Sequence, residues 1–292
     1  MLPFNYIIWN VDKVLMRLGH FELRWYPVCW IIGLVLAYFI VKRLYKEQKV
    51  KDELFDPLFI YCFFGILIGA RLGHCLFYEP EVWLSSWTRV MEIVVPIHIY
   101  DDGSWQFTGY QGLASHGGTL GLMIAIWLYV RRTGMKLWHV LDNIAIATPV
   151  TACFIRLANL MNSEIVGKVT DVPWAFIFVN GHPTIAHEPR HPGQLYEAIA
   201  YFLFFFVGWY FYRKGLRPKA DSPTAFRPQV GTGFFFGLCL TLIFTFRFFI
   251  EYTKEVQVDF ESGMFFNMGQ LLSVPFILLG LWSMWQSQQK KA

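Results

Sequence analysis

Three arginines, Arg71, Arg156 and Arg247, stand inside strongly apolar stretches of the sequence. An arginine at the centre of a membrane helix costs roughly 2.5–3.5 kcal/mol on insertion scales, so each one needs a binding partner. Arg156, Asn159 and Asn162 recur at every third position and form one polar stripe along a helix. Such a stripe forms a hydrogen-bonded seam between helices or, because no acidic residue lies near Arg156 on its own helix, binds an anion.

A second group of charges lies four residues apart. Arg247 and Glu251 share one helix face in the run Arg-Phe-Phe-Ile-Glu. The two residues form either a structural ion pair, because an unpaired charge in apolar surroundings is costly, or part of a reactive site.

His116 precedes Gly117 and Gly118 at the start of another apolar stretch. Two glycines leave the backbone N–H groups of a helix start uncovered, which suits an anionic group such as a lipid phosphate. A single histidine at a helix end is more often structural, so both interpretations stay open.

Arg71 lies among Gly65, Gly69 and Gly73, whose four-residue spacing is typical of two helices in close contact. These glycines are therefore predicted to pack against a neighbouring helix. Arg71 itself either extends to the membrane interface or belongs to the polar site.

Membrane-spanning helices must position these residues, because seven windows reach the ~20 mostly apolar residues that a span needs. The windows are 24–41, 55–78, 112–130, 140–160, 194–212, 231–250 and 266–285. The fourth is the weakest, because Asp142, Asn143, Arg156 and Asn159 interrupt it. The sequence predicts an all-α polytopic integral membrane protein with seven transmembrane helices in a single domain, 1–292. Its main loops outside the membrane are 79–111 and 161–193.

The composition agrees with this class of protein. Of 292 residues, 55% are hydrophobic and only 16% are charged, whereas soluble domains carry about a quarter charged residues. The net charge of +4 is too small and too divided along the chain to indicate nucleic-acid binding. The five cysteines lie in apolar stretches without a CxxC pair, so no metal site and no other cofactor is predicted.

Lysine and arginine are distributed unevenly between the two sets of loops. Fifteen lie in the loops after the first, third and fifth spans and in the C-terminal tail, and seven lie on the opposite side. Because basic residues favour cytoplasmic loops, the N-terminus is predicted to be periplasmic and the C-terminus cytoplasmic.

With this orientation, the unexpected polar groups all fall near the periplasmic ends of the spans. They are Tyr26, Arg71, His116, Arg156, Asn159, Asn162, the segment 190–197, Arg247, Glu251 and Gln270. The sequence therefore predicts a polar cavity that opens to the outer leaflet. A secondary transporter would instead place such charges near the midplane, with broken helices or internal repeats.

Seven sequence runs resemble, in order and across nearly the whole chain, the motifs of the prolipoprotein diacylglyceryl transferase family. They are LRWYP at 23–27, GARLGHCLFYEP at 69–80, SHGGTLG at 115–121, RLANLMNSEIVG at 156–167, RHPGQLYE at 190–197, RFFIE at 247–251 and MGQLLSVP at 268–275. The chain departs from the family at Ala158, where the signature often has glycine, and at Ile243, where better-known members have tyrosine. The loop at 80–111 also looks longer than in some members.

The resemblance implies an enzyme of the bacterial inner membrane whose active site faces the periplasm. Members of the family transfer the diacylglyceryl group of phosphatidylglycerol to the lipobox cysteine thiol of a preprolipoprotein and release glycerol phosphate. The implied partners are phosphatidylglycerol, preprolipoprotein signal peptides and membrane lipids, with no nucleic acid. By resemblance, Arg156 binds the lipid phosphate and Arg247 is also required. The further implicated positions are Tyr26, His116, Asn159, Glu164, Gly167 and Glu251.

Chemistry assigns roles to these residues. The leaving group of the reaction is an anionic phosphate, and two guanidiniums, those of Arg156 and Arg247, can bind its oxygens. The thiol nucleophile needs a base, for which His116 is the first candidate and Glu251 the second. Tyr26 and Asn159 would orient the headgroup or peptide, and Arg71 is counted with the substrate-binding residues. The competing functions are a secondary transporter and a lipid-binding membrane protein.

Overall fold

A computed structural model describes residues 6–19, 21–95, 97–100, 102–107, 112–183, 187–216, 228–255 and 264–289. The protein is mostly helical, and each of the seven predicted windows contains a helix. The long helices are α1 (Trp25–Glu47), α2 (Phe55–Phe77), α5 (Ser115–Thr133), α6 (Leu137–Met161), α7 (Gly193–Leu216), α8 (Phe234–Ile250) and α9 (Met268–Gln289). The short ones are α3 (Pro80–Trp83) and α4 (Trp87–Val94), with 3₁₀ turns at Asp52–Leu54 and Glu251–Thr253.

Within the described residues, six helices are long and apolar enough to cross a membrane, which makes the chain a polytopic membrane protein by length and composition. They are Trp25–Glu47, Asp52–Phe77, Leu137–Met161, Gly193–Leu216, Phe234–Thr253 and Met268–Gln289. The predicted fourth span is among them despite its polar residues. Helix α5, the predicted third span, is not, because Ser115 and His116 at its start and Arg131 and Arg132 at its end shorten its apolar stretch.

Short strands, which the sequence analysis did not predict, occupy parts of the loops. They are β1 (Ile7–Trp9), β2 (Val14–Leu18), β3 (Phe21–Arg24), β4 (Ile97–Ile99), β5 (Trp105–Phe107), β6 (Phe176–Phe178) and β7 (Pro189–Arg190). Strands β1, β6 and β7 form one sheet, in which β6 lies between a parallel β1 and an antiparallel β7. The pairs β2–β3 and β4–β5 are antiparallel.

The chain divides into two compact units, Met1–Leu44 with Leu141–Ala292, and Tyr45–Val140. In the second unit, α2 and α5 pack through their glycines. A Cβ atom at Gly65 would lie 2.5 Å from the Cβ of Ala125, and one at Gly73 would lie 2.7 Å from the Cα of Gly117. The predicted packing role of the α2 glycines is therefore confirmed, and Gly117 takes part in the same contact.

In the first unit, α8 packs against α9 through another pair of small residues. A Cβ atom at Gly237 would lie 2.5 Å from the carbonyl oxygen of Gly280. The apolar core beside this crossing contains Leu44, Ile146, Tyr212, Phe234, Phe235 and Leu238. Close helix contact of this kind fixes the rotation of α8, which carries Arg247 near its other end.

The start of α8 is fixed by a carboxylate from α6. Asp142 is fully buried and accepts hydrogen bonds from the backbone N–H groups of Gly231, Thr232, Gly233 and Phe236 at 2.8–3.1 Å. Helix starts leave such N–H groups without partners, and an anionic acceptor suits their partial positive charge. An acidic residue that seemed to weaken the fourth span therefore joins two helices.

Candidate active site

Arg156 lies one turn before the end of α6, where a carboxylate and an amide hold its guanidinium. Its Nε lies 3.1 Å from Oε2 of Glu197 on α7, and its Nη1 donates to Oδ1 of Asn159 at 3.2 Å. The sequence showed no acid near Arg156 on its own helix, and the structure supplies one from another helix. Since an unpaired charge inside an apolar membrane helix is costly, the ion pair with Glu197 explains why Arg156 is tolerated in α6.

Glu197 is fully buried and lies at the centre of an ionic cluster. Its carboxylate accepts a hydrogen bond from the hydroxyl of Tyr201 at 3.0 Å. The ammonium of Lys254 lies 3.3 Å from each carboxylate oxygen of Glu197 and 3.2 Å from Oε2 of Glu251. Two cations, Arg156 and Lys254, thus alternate with two carboxylates.

Glu251 directly follows the last residue of α8, and its carboxylate lies close to the backbone of α9 at Gly269. A Cβ atom at Gly269 of α9 would lie 2.7 Å from Oε1 of Glu251, so a larger residue there would force this carboxylate to move. The ion partner of Glu251 is Lys254, not Arg247. The contacts of the described residues therefore do not include the structural Arg247–Glu251 ion pair that the sequence left open as an alternative.

Arg247 is half-buried and makes neither a hydrogen bond from its side chain nor an ion pair with any described residue. It lies within electrostatic range of the hydroxyl of Tyr201, which also interacts with Arg156 and Glu197. Two guanidiniums therefore flank one buried tyrosine, and one of them has no anion in the described part of the chain. Ile243, one turn before Arg247, packs against the apolar cluster that contains Tyr201.

Asn159 and Glu164 form a polar branch beside the ionic cluster. The amide of Asn159 donates to Oε1 of Glu164 at 2.7 Å while its oxygen accepts from Arg156, so both ends of the amide are fixed. Ser163 and Ile165 on either side of Glu164 have φ near +55°, a conformation that non-glycine residues rarely adopt. Backbone strain of this kind persists only where surrounding contacts hold it, and it concentrates at functional sites.

Tyr26 begins α1 and reaches the same branch. Its hydroxyl interacts with the amide of Asn159 and lies near the carboxylate of Glu164 and the guanidinium of Arg156. The side chain of Gln194, at the start of α7, donates to the backbone carbonyl of Glu164. The sequence-predicted residues Tyr26, Arg156, Asn159 and Glu164 are thus in contact with one another.

Gly167 contributes close backbone packing. A Cβ atom there would lie 2.5 Å from the Cβ of His191 and 2.8 Å from the carbonyl oxygen of Thr253. Its N–H donates to the carbonyl of His191 at 2.9 Å, and its carbonyl accepts from Arg190 at 3.3 Å. Gly167 therefore allows three segments to meet beside Lys254, which is a structural reason for glycine at this position.

Arg71 and His116 belong to the Tyr45–Val140 unit. Arg71 is buried, donates to the backbone carbonyls of Glu92 and Ile93 at 3.1 and 3.3 Å, and lies over the ring of Trp83 at 4.2 Å. These contacts give it a structural role within the unit, and its place among the substrate-binding residues stays a prediction. His116 is exposed and makes no hydrogen bond or ion pair with a described residue.

The interpretation of Gly117 and Gly118 as an open anion site has little support among the described residues. Gly117 lies against α2, and the N–H of Gly118 already donates to the carbonyl of Ala114 at 3.0 Å. In the first turn of α5, the side chains of Ser115 and His116 are exposed.

Sequence reasoning missed Tyr201 and Lys254 as members of the site and assigned no role to Glu197. Glu197 ends the polar run 190–197, which the sequence places among the polar groups of the predicted cavity. Lys254 was counted among loop residues, yet it is only 4% exposed. The available signal was the spacing of Arg247, Glu251 and Lys254 by four and then three residues, which places all three on one side of a helical segment.

The fold and this cluster define a polytopic helical membrane protein with a cluster of buried ion pairs, Tyr201 of which also interacts with a guanidinium that has no described anionic partner. Comparison with known proteins is more specific. The family model for prolipoprotein diacylglyceryl transferase matches residues 13–286, and the chain belongs to this family.

Similar proteins carry one common name, phosphatidylglycerol–prolipoprotein diacylglyceryl transferase. The protein from Bacteroides fragilis is 52% identical over 286 residues, covering 98% of this chain and 97% of the relative. The relative from Tolumonas auensis is 41% identical, with 98% and 99% covered, and that from Porphyromonas gingivalis is 38% identical, with 95% and 93% covered.

Proposed function

We propose that this enzyme transfers the diacylglyceryl group of phosphatidylglycerol to the lipobox cysteine thiol of preprolipoproteins and releases glycerol phosphate, the first step of lipoprotein maturation. Family membership and full-length relatives of this name support the activity. The residues that perform it follow from the geometry of the ionic cluster.

The observation that carries the assignment is that Arg247 lacks an anionic partner among the described residues. Its side chain is half-buried, lies within electrostatic range of the Tyr201 hydroxyl, and has no anionic partner among the described residues. A partly desolvated cation without a counter-ion is unfavourable, so the site is suited to an anion that arrives with the substrate. The phosphodiester of phosphatidylglycerol is such an anion.

Arg156 is the second phosphate ligand. Glu197 and Asn159 engage its Nε and Nη1 atoms and set the plane of the guanidinium. A guanidinium has five N–H donors, so groups remain for phosphate oxygens. Fixed donors of this kind stabilise charge that grows on the leaving group, because they need no reorganisation during the reaction.

In the reaction, the cysteine sulfur attacks the carbon of the diacylglyceryl group that is bonded to the phosphate oxygen. A carbon–sulfur bond forms, the carbon–oxygen bond breaks, and its electron pair leaves with glycerol phosphate. The thiol proton passes to a base. His116 is the proposed base, because its imidazole is exposed and lacks a described partner, whereas the carboxylate of Glu251 is engaged by Lys254. Tyr26, Asn159 and Glu164 orient the headgroup or the peptide.

The membrane topology belongs to the same proposal. Helix α5 also crosses the membrane, as the third span in chain order, which brings the number of spans to seven. The N-terminus is periplasmic, the C-terminus is cytoplasmic, and the site opens to the periplasmic side of the inner membrane. The distribution of basic residues supports this orientation. Cysteine labelling of intact cells with a membrane-impermeant reagent should modify positions in 79–111 and 161–193 and leave 213–230 unmodified. Labelling of 213–230 from outside would overturn it.

The activity is tested with purified enzyme, a synthetic lipobox peptide and phosphatidylglycerol vesicles. Mass spectrometry should find the peptide heavier by one diacylglyceryl group, and glycerol phosphate should appear in equal amount. A peptide with serine in place of the lipobox cysteine, and vesicles of phosphatidylcholine alone, are the controls. Folded enzyme that binds phosphatidylglycerol but leaves the peptide unchanged would favour a transporter or a lipid-binding protein.

A further inference from the structure

One surface outside the long helices is strongly apolar and exposed. Within α4, Trp87, Met91 and Val94 are 85%, 60% and 70% exposed and recur with helical spacing on one side. Leu84 before the helix and Trp105 on β5 are exposed as well. These five residues are named the Trp87 face.

The opposite side of α4 is packed and carries the charges. Glu92 is buried, and its carboxylate accepts hydrogen bonds from Arg89 at 3.0 Å and from the N–H of Ile99 at 2.8 Å, with His98 at 3.2 Å. Ile93 is buried next to it. The helix therefore has a fixed rotation, and the Trp87 face points away from the protein for structural reasons.

Arg71 holds the last turn of α4 against α2. Its guanidinium donates to the carbonyls of Glu92 and Ile93, in the last turn of α4. Arg71 lies six residues before the end of α2 at Phe77, which corresponds to about 9 Å along the helix axis. Because α2 is one of the six helices able to cross a membrane, the end of α4 is held beside a membrane-spanning segment, not far above it.

The apolar surface of α2 continues into this region. Leu76, Phe77 and Tyr78 at the end of α2 are exposed, Phe77 to 81%. Lipid is the solvent for the exposed apolar residues of a spanning helix, and tryptophan and tyrosine concentrate where that lipid meets water. The Trp87 face therefore adjoins a lipid-covered surface and has the composition of an interfacial one.

We propose that the Trp87 face inserts into the bilayer, at the boundary between headgroups and acyl chains in the leaflet next to the end of α2. Helix α4 then lies on the membrane as an interfacial helix, with its apolar side in lipid and its Arg89–Glu92 pair against the protein. Arg71 acts as the tether that joins this helix to the span. The inference needs α2 to cross the membrane and does not depend on the transfer reaction.

Spin labelling tests the proposal in the full-length enzyme reconstituted in vesicles. Single cysteines replace Met91, Val94 or Trp87, and each receives a nitroxide label. Ser104, exposed in the polar turn between β4 and β5, provides the matched control position. Unsubstituted enzyme gives the background from the native cysteines, of which all but Cys62 are buried.

Each label is then exposed to oxygen, which concentrates in lipid, and to a water-soluble nickel chelate. Lipid insertion predicts strong relaxation by oxygen and weak relaxation by nickel at 87, 91 and 94, with the reverse at 104. Strong relaxation by nickel at the three positions would mean that the face meets water and would overturn the proposal. Weak relaxation by both reagents would mean that protein covers it, either a second copy or an apolar signal peptide, and would overturn it equally.

Discussion

The ammonium of Lys254 lies 3.3 Å from both carboxylate oxygens of Glu197, and both side chains are buried. The same ammonium lies 3.2 Å from Glu251, and Glu197 in turn binds Arg156. Lys254 thus neutralises the two carboxylates beside the guanidiniums. Without it, Arg156 would be the only cation left in an ion pair with Glu197 among the described residues, and Glu251 would lose its ion partner.

The first prediction concerns Lys254. Lys254→Met should lower activity by about 10²-fold, because the two freed carboxylates would compete with phosphate for the guanidiniums and displace them. Breaking a buried ion pair costs about 3–5 kcal/mol, so the melting temperature in detergent should fall as well. Lys254→Arg, which keeps the charge, is the matched control and should retain most activity. A Lys254→Met enzyme with wild-type activity and stability would show that the cluster does not need this cation.

The second prediction concerns the phosphate contact of Arg156. Lysine at this position keeps the charge but loses the planar fork of donors, and alanine loses both. If Arg156 binds phosphate through two donors, Arg156→Lys and Arg156→Ala should both lose most activity in the peptide assay while still inserting and folding. A fully active Arg156→Lys enzyme would mean that a point charge suffices or that the phosphate lies elsewhere.

The third prediction concerns the base. The rate of His116→Gln should fall by roughly 10²–10⁴-fold, the usual contribution of general acid–base catalysis. Raising the pH should restore much of this rate, because a free thiol ionises by itself above a pKa of about 8.5. Phosphatidylglycerol binding, measured separately, should hardly change. A variant that binds lipid poorly and is not rescued at high pH would make His116 a headgroup ligand and leave Glu251 as the base.

The fourth prediction concerns pH and Glu92. Burial alone would raise the pKa of this carboxyl, but the N–H of Ile99 and the side chains of His98 and Arg89 outweigh it and hold the pKa below its usual value. A lowered pKa in the folded state contributes stability that is present above the unfolded pKa of 4.5 and is lost as the pH falls through the folded value.

Thermal unfolding in detergent at a series of pH values measures this contribution. Glu92→Gln should be less stable than wild type at pH 7, and the two curves should converge as the pH falls from 4.5 through the lowered pKa of Glu92. The exposed Glu81→Gln is the control and should follow wild type throughout. A difference between Glu92→Gln and wild type that does not change with pH would assign the role of Glu92 to packing rather than charge.

The sequence by itself determined the class of protein and most of the site. Long apolar windows are accommodated in lipid as helices, so a long helix was predictable in each of the seven windows. Glycines four residues apart indicated that α2 packs closely against a neighbouring helix. Tyr26, Arg156 and Asn159 were recognisable because polar residues are costly in such segments and therefore need a reason, and Glu164 was implied by the family resemblance. The family motifs named the activity.

Only the tertiary structure decided how the charges pair. Arg247 and Glu251 share a helix face, yet Glu251 pairs with Lys254, and Glu197 reaches Arg156 from a helix more than forty residues away in sequence. Ion pairing in a low-dielectric interior depends on distances of a few ångströms, and spacing along one helix cannot supply the distances between helices. For the same reason, the roles of Asp142 at the start of α8 and of Arg71 at the end of α4 became visible only when their backbone partners were in place.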